Sequence, residues 1–238
     1  MSNVPKAQFF GYFRRRLKNL KLIKDTFGEP VEPEGNILAG AELDALAKYW
    51  AKHSNRPEKP AGRRLAIFLA THANAAIWTK CSHTDLRERA KSELDPRQRA
   101  ALQVCLSGIP SEYATHDARV LSWTIDPDFG TLQHDRLLIR TGVPLEFLEK
   151  CRYGEILYRL YRCAWIHDLT PDDRLDTDSS LPLTVLAESQ GSCPPQPYYA
   201  ARNHVRGLVI PQPFILSTLE KALNSFEQSV PNGASLPQ

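Results

Sequence analysis

KAQFFGYFRRRLKNLKLIK, residues 6–24, is the stretch on which the reading of this chain turns. It carries seven cations, Lys6, Arg14, Arg15, Arg16, Lys18, Lys21 and Lys24, and no acid. On a helical wheel Phe9, Phe10, Phe13, Leu17 and Leu20 fall within an arc of about 100°, with Arg14, Arg15, Lys18 and Lys21 opposite them. The pattern predicts an amphipathic helix that meets its surroundings with both apolar surface and positive charge. Gly11 weakens its first turn by roughly 1 kcal/mol relative to alanine, so the helix is expected to firm up after it.

Helical periodicity dominates the flanking sequence. Residues 25–36 hold two prolines and two glycines among four acids and read as a loop. Ala39, Leu43, Leu46, Ala47 and Trp50 recur at helical spacing, predicting a second helix from Ile37 to His53 with Asn36 as its cap. Residues 63–80 are apolar nearly all round, as in a helix at the centre of a helical layer. A short charged helix is expected from Thr84 to Glu93. Asp95-Pro96-Arg97-Gln98 is the sharpest local signal, an N-cap, a proline in the first turn and a glutamine placed to close a capping box. That helix runs to Ser107, with Gly108 and Pro110 beyond it.

After Pro110 the pattern changes. Arg119–Ile125 is rich in β-formers, residues 126–131 (DPDFGT) have turn chemistry, and Leu132–Arg140 is a second strand candidate, so a β-hairpin is expected over 118–140. Helical periodicity returns from Pro144 to His167 with a break at Gly154. Residues 190–213 read as a loop around a short strand, Val205–Ile210, and a last helix is expected from Phe214 to Phe226. The expected fold is α+β and predominantly helical. A basic helical part (1–110) and a hairpin-containing part (111–228) pack as one body, ahead of a disordered tail (229–238).

Charge divides the chain unevenly. Residues 1–110 carry 19 Lys/Arg against 11 Asp/Glu, and residues 111–238 carry 11 against 16, so the formal net charge of +3 hides a basic first half and an acidic second. Such a split argues for a polyanionic partner at the first half. Arg14, Arg15, Arg16, Lys18, Lys21, Arg63, Arg64, Arg97 and Arg99 are the expected contacts to nucleic-acid phosphates, DNA or RNA. The bland alternative for each is an ordinary solvated face. Phe9, Phe10, Phe13 and Leu17 are expected either to anchor the first helix on the body or to dock a protein or a membrane surface.

Signals for catalysis are sparse. There is no nucleotide-binding glycine loop, no G-x-S-x-G and no Cys-His signature, so no cofactor is expected. Three of the seven histidines precede an aspartate, His116-Asp117, His134-Asp135 and His167-Asp168. The pairs could ligate a metal in a phosphohydrolase, or be turn and cap residues. Cys81, His83 and Cys105 lack the paired short spacings of structural zinc. Tyr198-Tyr199 with Arg202, His204 and Arg206 forms a second aromatic-basic cluster. Five cysteines without a framework, no apolar run of membrane-spanning length and no signal-peptide pattern point to a cytoplasmic protein. The expected role is non-catalytic: association with nucleic acid as a subunit of a larger nucleoprotein complex.

Overall fold

The computed structural model describes residues 3–27, 32–56, 60–109, 121–159, 196–202 and 205–237, and in these it is predominantly helical with small antiparallel sheets. The chain opens with strand β1 (Asn3–Pro5) and helix α1 (Lys6–Phe27), followed by α2 (Glu32–His53) and α3 (Ala61–His72). Short helices come next: α4 (Ala75–Trp78), α5 (His83–Glu93) and α6 (Pro96–Cys105). After β2 (Leu121–Ser122) and a 3-10 turn at Trp123–Ile125 come α7 (Phe129–Gln133), α8 (Arg136–Thr141), α9 (Leu145–Lys150) and α10 (Tyr153–Ile156). The chain closes with β3 (Tyr198–Arg202), β4 (Val205–Val209), α11 (Gln212–Ser229) and β5 (Ser235–Pro237).

Two apolar cores organise these elements. The main core joins α1, α2, α3, α4, α10 and α11, and the apolar stripe of α1 (Phe9, Phe10, Phe13, Leu17, Leu20) lies within it. A smaller core is built from α5 to α9 and runs from Cys81 to Cys151. α11 returns from the far end of the chain to pack against α1, α2 and α3. No helix among the described residues is long and apolar enough to cross a membrane.

Several expectations need correction. Residues 129–141 form two helices rather than the second strand of a hairpin. Asp128 accepts from the Gly130 N–H, Asp135 accepts from the N–H groups of Leu137 and Leu138, and Gly142 ends α8 in the left-handed region at φ 74°. These caps satisfy helix termini and override the local β preference. The hairpin lies later, where β3 and β4 pair antiparallel, and β2 joins the outer edge of β3 with Leu121 opposite Tyr199. α2 starts at Glu32, one turn before the expected cap, since Pro33 sits in a first turn that needs no N–H from it.

The expected helix over 63–80 is broken at Ala73–Asn74, and α4 restarts with the N–H of Trp78 donating to Asn74 O at 2.9 Å. The break swings Trp78 into the core, stacked on Phe214 with ring centroids 5.6 Å apart. The tail also differs from expectation. Ser235–Pro237 pairs antiparallel with Asn3–Pro5, and Leu236, opposite Val4, is fully buried. An apolar residue able to close the core outweighs the polar, glycine-containing composition around it. The Asp95 capping box forms as expected.

The helical run expected from Pro144 is interrupted at Cys151–Arg152, between α9 and α10, and Gly154 itself lies inside α10. It lets α10 lie directly against α3, since a Cβ there would sit 2.5 Å from the Ala66 Cα and 3.1 Å from its backbone nitrogen. Backbone cannot yield as a side chain does. Gly154→Ala is expected to lower stability by about 1–3 kcal/mol in urea denaturation, and a change below about 0.5 kcal/mol would contradict this packing.

Candidate functional site

Three of the seven cations in the basic stretch that dominates the sequence are tied to acids of neighbouring helices. α1 and α11 run antiparallel. Arg14 pairs with Glu227, and Lys21 Nζ meets Glu220 Oε2 at 2.8 Å. The cations are seven residues apart and so are the acids, so each pair lies two turns from the other along one face. On the opposite flank Arg16 Nε donates to Glu42 Oε1 of α2 at 2.7 Å. This hydrogen bond and the carboxylate charge raise the pKa of the Arg16 guanidinium above its ordinary value. The acids missing from residues 6–24 are thus supplied by the two helices that α1 packs against. Exposed pairs of this kind add little stability, but they fix which helix lies on which side.

Arg15 and Lys18 stand apart. Both are exposed on the outward face of α1, and among the described residues neither has an ion pair or hydrogen bond. The side chains of Arg14 and Lys21 beside them keep 52% and 43% exposure while paired. Further along the chain, Arg63 pairs with Glu149 at 2.6 Å and Arg64 with Asp44 at 2.8 Å. Arg99 donates to the Lys91 carbonyl at 2.9 Å, and Arg97 is exposed without a partner among the described residues. Five of the nine marked cations are therefore tied to carboxylates.

Phe9, Phe10, Phe13 and Leu17 are between 0% and 6% exposed. Phe9 meets Tyr49 edge-on at 5.0 Å and Phe10 meets Phe226 at 5.4 Å. Their anchoring partner is this chain's own core, and in this arrangement they present no surface to a second protein or a bilayer.

A buried polar cluster that sequence reasoning missed joins three separate segments. The carboxylate of Asp126, 2% exposed, accepts from the backbone N–H of His83 at 3.0 Å. The same oxygen lies 2.5 Å from His83 Nδ1, and the other oxygen accepts from the Tyr153 hydroxyl. His83 opens α5 and Tyr153 opens α10, so one carboxylate accepts from the first N–H of α5 and ties the side chain of the first residue of α10 to it. On either side of it, Cys81 N donates to Pro127 O, Ser82 N to Cys151 O and Tyr153 N to Lys80 O. No sequence signal marks this cluster: Asp126 lies in a turn motif, 43 residues from His83 and 27 from Tyr153.

No known family, curated protein or solved structure matches this chain. Its chemistry is therefore read from geometry alone.

Asp135 of the His134-Asp135 pair caps α8, and the Leu138 and Leu137 N–H groups hold its carboxyl below the usual range. His116-Asp117 and His167-Asp168 lie outside the described residues, as do Cys163, Cys193 and His204. Tyr198, Tyr199, Arg202 and Arg206 lie on the β3–β4 hairpin. Among the described residues no three His, Cys, Asp or Glu side chains gather as a metal site. Burial raises the thiol pKa values of Cys81 and Cys151 and takes that of Cys105 to about 11, the reverse of what a nucleophilic thiolate needs. An open groove beside the start of α1 is lined by Lys6, Arg14, Glu227 and Asn232. Its cations are already engaged, with Lys6 Nζ donating to Val230 O at 2.5 Å and Arg14 held by Glu227.

Proposed function

We propose that this protein acts by binding rather than catalysis, as a nucleic-acid-associated subunit of a larger nucleoprotein assembly that holds phosphates along the outward stripe of α1. The observation that carries this reading is the pair Arg15 and Lys18, exposed and without a partner among the described residues, one turn apart on a helix whose other side is locked into the core. Arg14 and Lys21 border them with heads still partly exposed. A rigid helix presenting unneutralised cations suits the phosphate backbone, and nothing in it selects a base sequence.

Fluorescence anisotropy with short single- and double-stranded DNA and RNA tests this. Binding is expected to weaken steeply between about 50 and 200 mM salt. Arg15→Glu/Lys18→Glu should weaken it about 10-fold or more and reduce the salt slope by about 2 on duplex DNA. Both side chains are exposed, so the helical circular dichroism should not change. Absence of binding at about 50 mM salt, or a double variant that binds like the parent, would reject the assignment.

A further inference from the structure

α1 turns one side into the main core and the other to solvent. At about 100° per residue Lys18, Leu22, Arg15, Asn19 and Tyr12 follow one another around the axis within an arc of about 120°, opposite the buried phenylalanines. All five are exposed, so helix geometry and burial define the same outward stripe. Arg14 and Lys21 border it on the α11 side and Arg16 on the α2 side, and their charges are met by Glu227, Glu220 and Glu42. Within the stripe Arg15 and Lys18 have no partner among the described residues. The one acid of α1, Asp25, lies in its last turn, just outside the arc.

Phosphate contact alone leaves Tyr12 without a role. Phe9, Phe10 and Phe13 beside it are at most 5% exposed, whereas Tyr12 is 49% exposed. Its ring makes a T-shaped contact with that of Phe13, centroids 5.3 Å apart, so a core residue restrains it on the helix. Arg15 follows about 4.5 Å along the axis and Lys18 a further 4.5 Å or so. An exposed ring in line with free cations is the combination that unpaired strands call for, in which cations hold the backbone and the ring stacks on a base. In a duplex the bases already stack on each other, and a helix that follows the phosphates offers its ring no base face.

We propose that the α1 stripe takes single-stranded nucleic acid in preference to duplex, with Tyr12 stacked on an unpaired base and Arg15 and Lys18 on the adjoining phosphates. This preference rests on phosphate binding at the same stripe and adds the form of strand that binds. An anionic bilayer suits the stripe less, since Tyr12 and Leu22 are ten residues, about 15 Å, apart and the continuous apolar face of α1 is the buried one.

The test measures fluorescence anisotropy of the full chain with three fluorescein-labelled DNA probes at about 50 mM salt. The probes are a thymidine strand of about 12 nucleotides, an abasic strand with the same phosphates, and a hairpin duplex of equal phosphate number. The thymidine strand is expected to bind about 10-fold more tightly than either of the others. Tyr12→Ala should weaken thymidine-strand binding about 10-fold, leave hairpin and abasic binding unchanged and keep the salt slope, whereas Tyr12→Phe should bind like the parent. Arg15→Glu/Lys18→Glu should weaken binding to all three probes and lower the slope. Equal binding of the three probes by the parent, a Tyr12→Ala variant that binds the thymidine strand like the parent, or a Tyr12→Phe variant as weak as Tyr12→Ala would overturn the stacking assignment and leave phosphate binding standing. Absence of binding to every probe would overturn both. Binding to vesicles of anionic lipid that is lost in Tyr12→Ala, without binding to any strand, would overturn both in favour of a membrane surface.

Discussion

Phe226→Ala is expected to destabilise the protein by about 3–5 kcal/mol, read from the midpoint of urea denaturation at constant slope. Phe226 is fully buried where α11 meets three other helices. Its ring lies 5.4 Å from Phe10, 6.5 Å from Phe9, 6.1 Å from Phe68 and 5.7 Å from His72. Helices α1, α2, α3 and α11 hold this cluster from separate directions, so none can close the cavity without leaving its other contacts. A loss under about 1 kcal/mol would show that α11 does not pack against α1 as described. The same experiment bears on the apolar face of α1. If Phe10→Ala costs stability on a similar scale, that face belongs to the folding core and not to a docking surface.

Asp126→Ala is expected to cost about 3–5 kcal/mol, because it removes a buried carboxyl acceptor and strands the groups that faced it. The backbone N–H and ring of His83 and the Tyr153 hydroxyl lie in a region fully closed to solvent. Tyr153→Phe, which deletes one hydrogen bond and leaves the ring in place, should cost less, about 1–3 kcal/mol. The two losses should not add, since both variants break the same network, and a double-mutant cycle measures the shortfall. Additive losses, or an Asp126→Ala variant as stable as the parent, would show that the three segments are held together by something else.

Legibility varied with the range of the forces involved. The Asp95 capping box could be read from four adjacent residues because donor and acceptor lie within one helical turn. The apolar stripe of α1 could be read from its periodicity, but whether it packs on the body or docks elsewhere could not, and its burial in the main core decides that. Leu132–Arg140 was misread because its β-forming residues are local evidence, whereas the caps at Asp128 and Asp135 and the burial of Leu132 and Leu138 against α6 and α9 favour helix. Leu236 was misread because its partner strand lies at the other end of the chain.

The candidate sites divide in the same way. Periodicity identified α1 as amphipathic and placed its cations opposite its phenylalanines. It could not show that Glu42, Glu220 and Glu227 would neutralise three of those cations, because these acids reach α1 only when α2 and α11 pack on it. Nor could it bring Asp126 to His83 and Tyr153. By itself the sequence determined the Asp95 capping box, the amphipathic pattern of α1 and the charge of each segment, since these depend on neighbours within a few residues. Tertiary structure alone decided which charges remain free, because Coulomb attraction and burial depend on distance in space, and distance along the chain does not predict it.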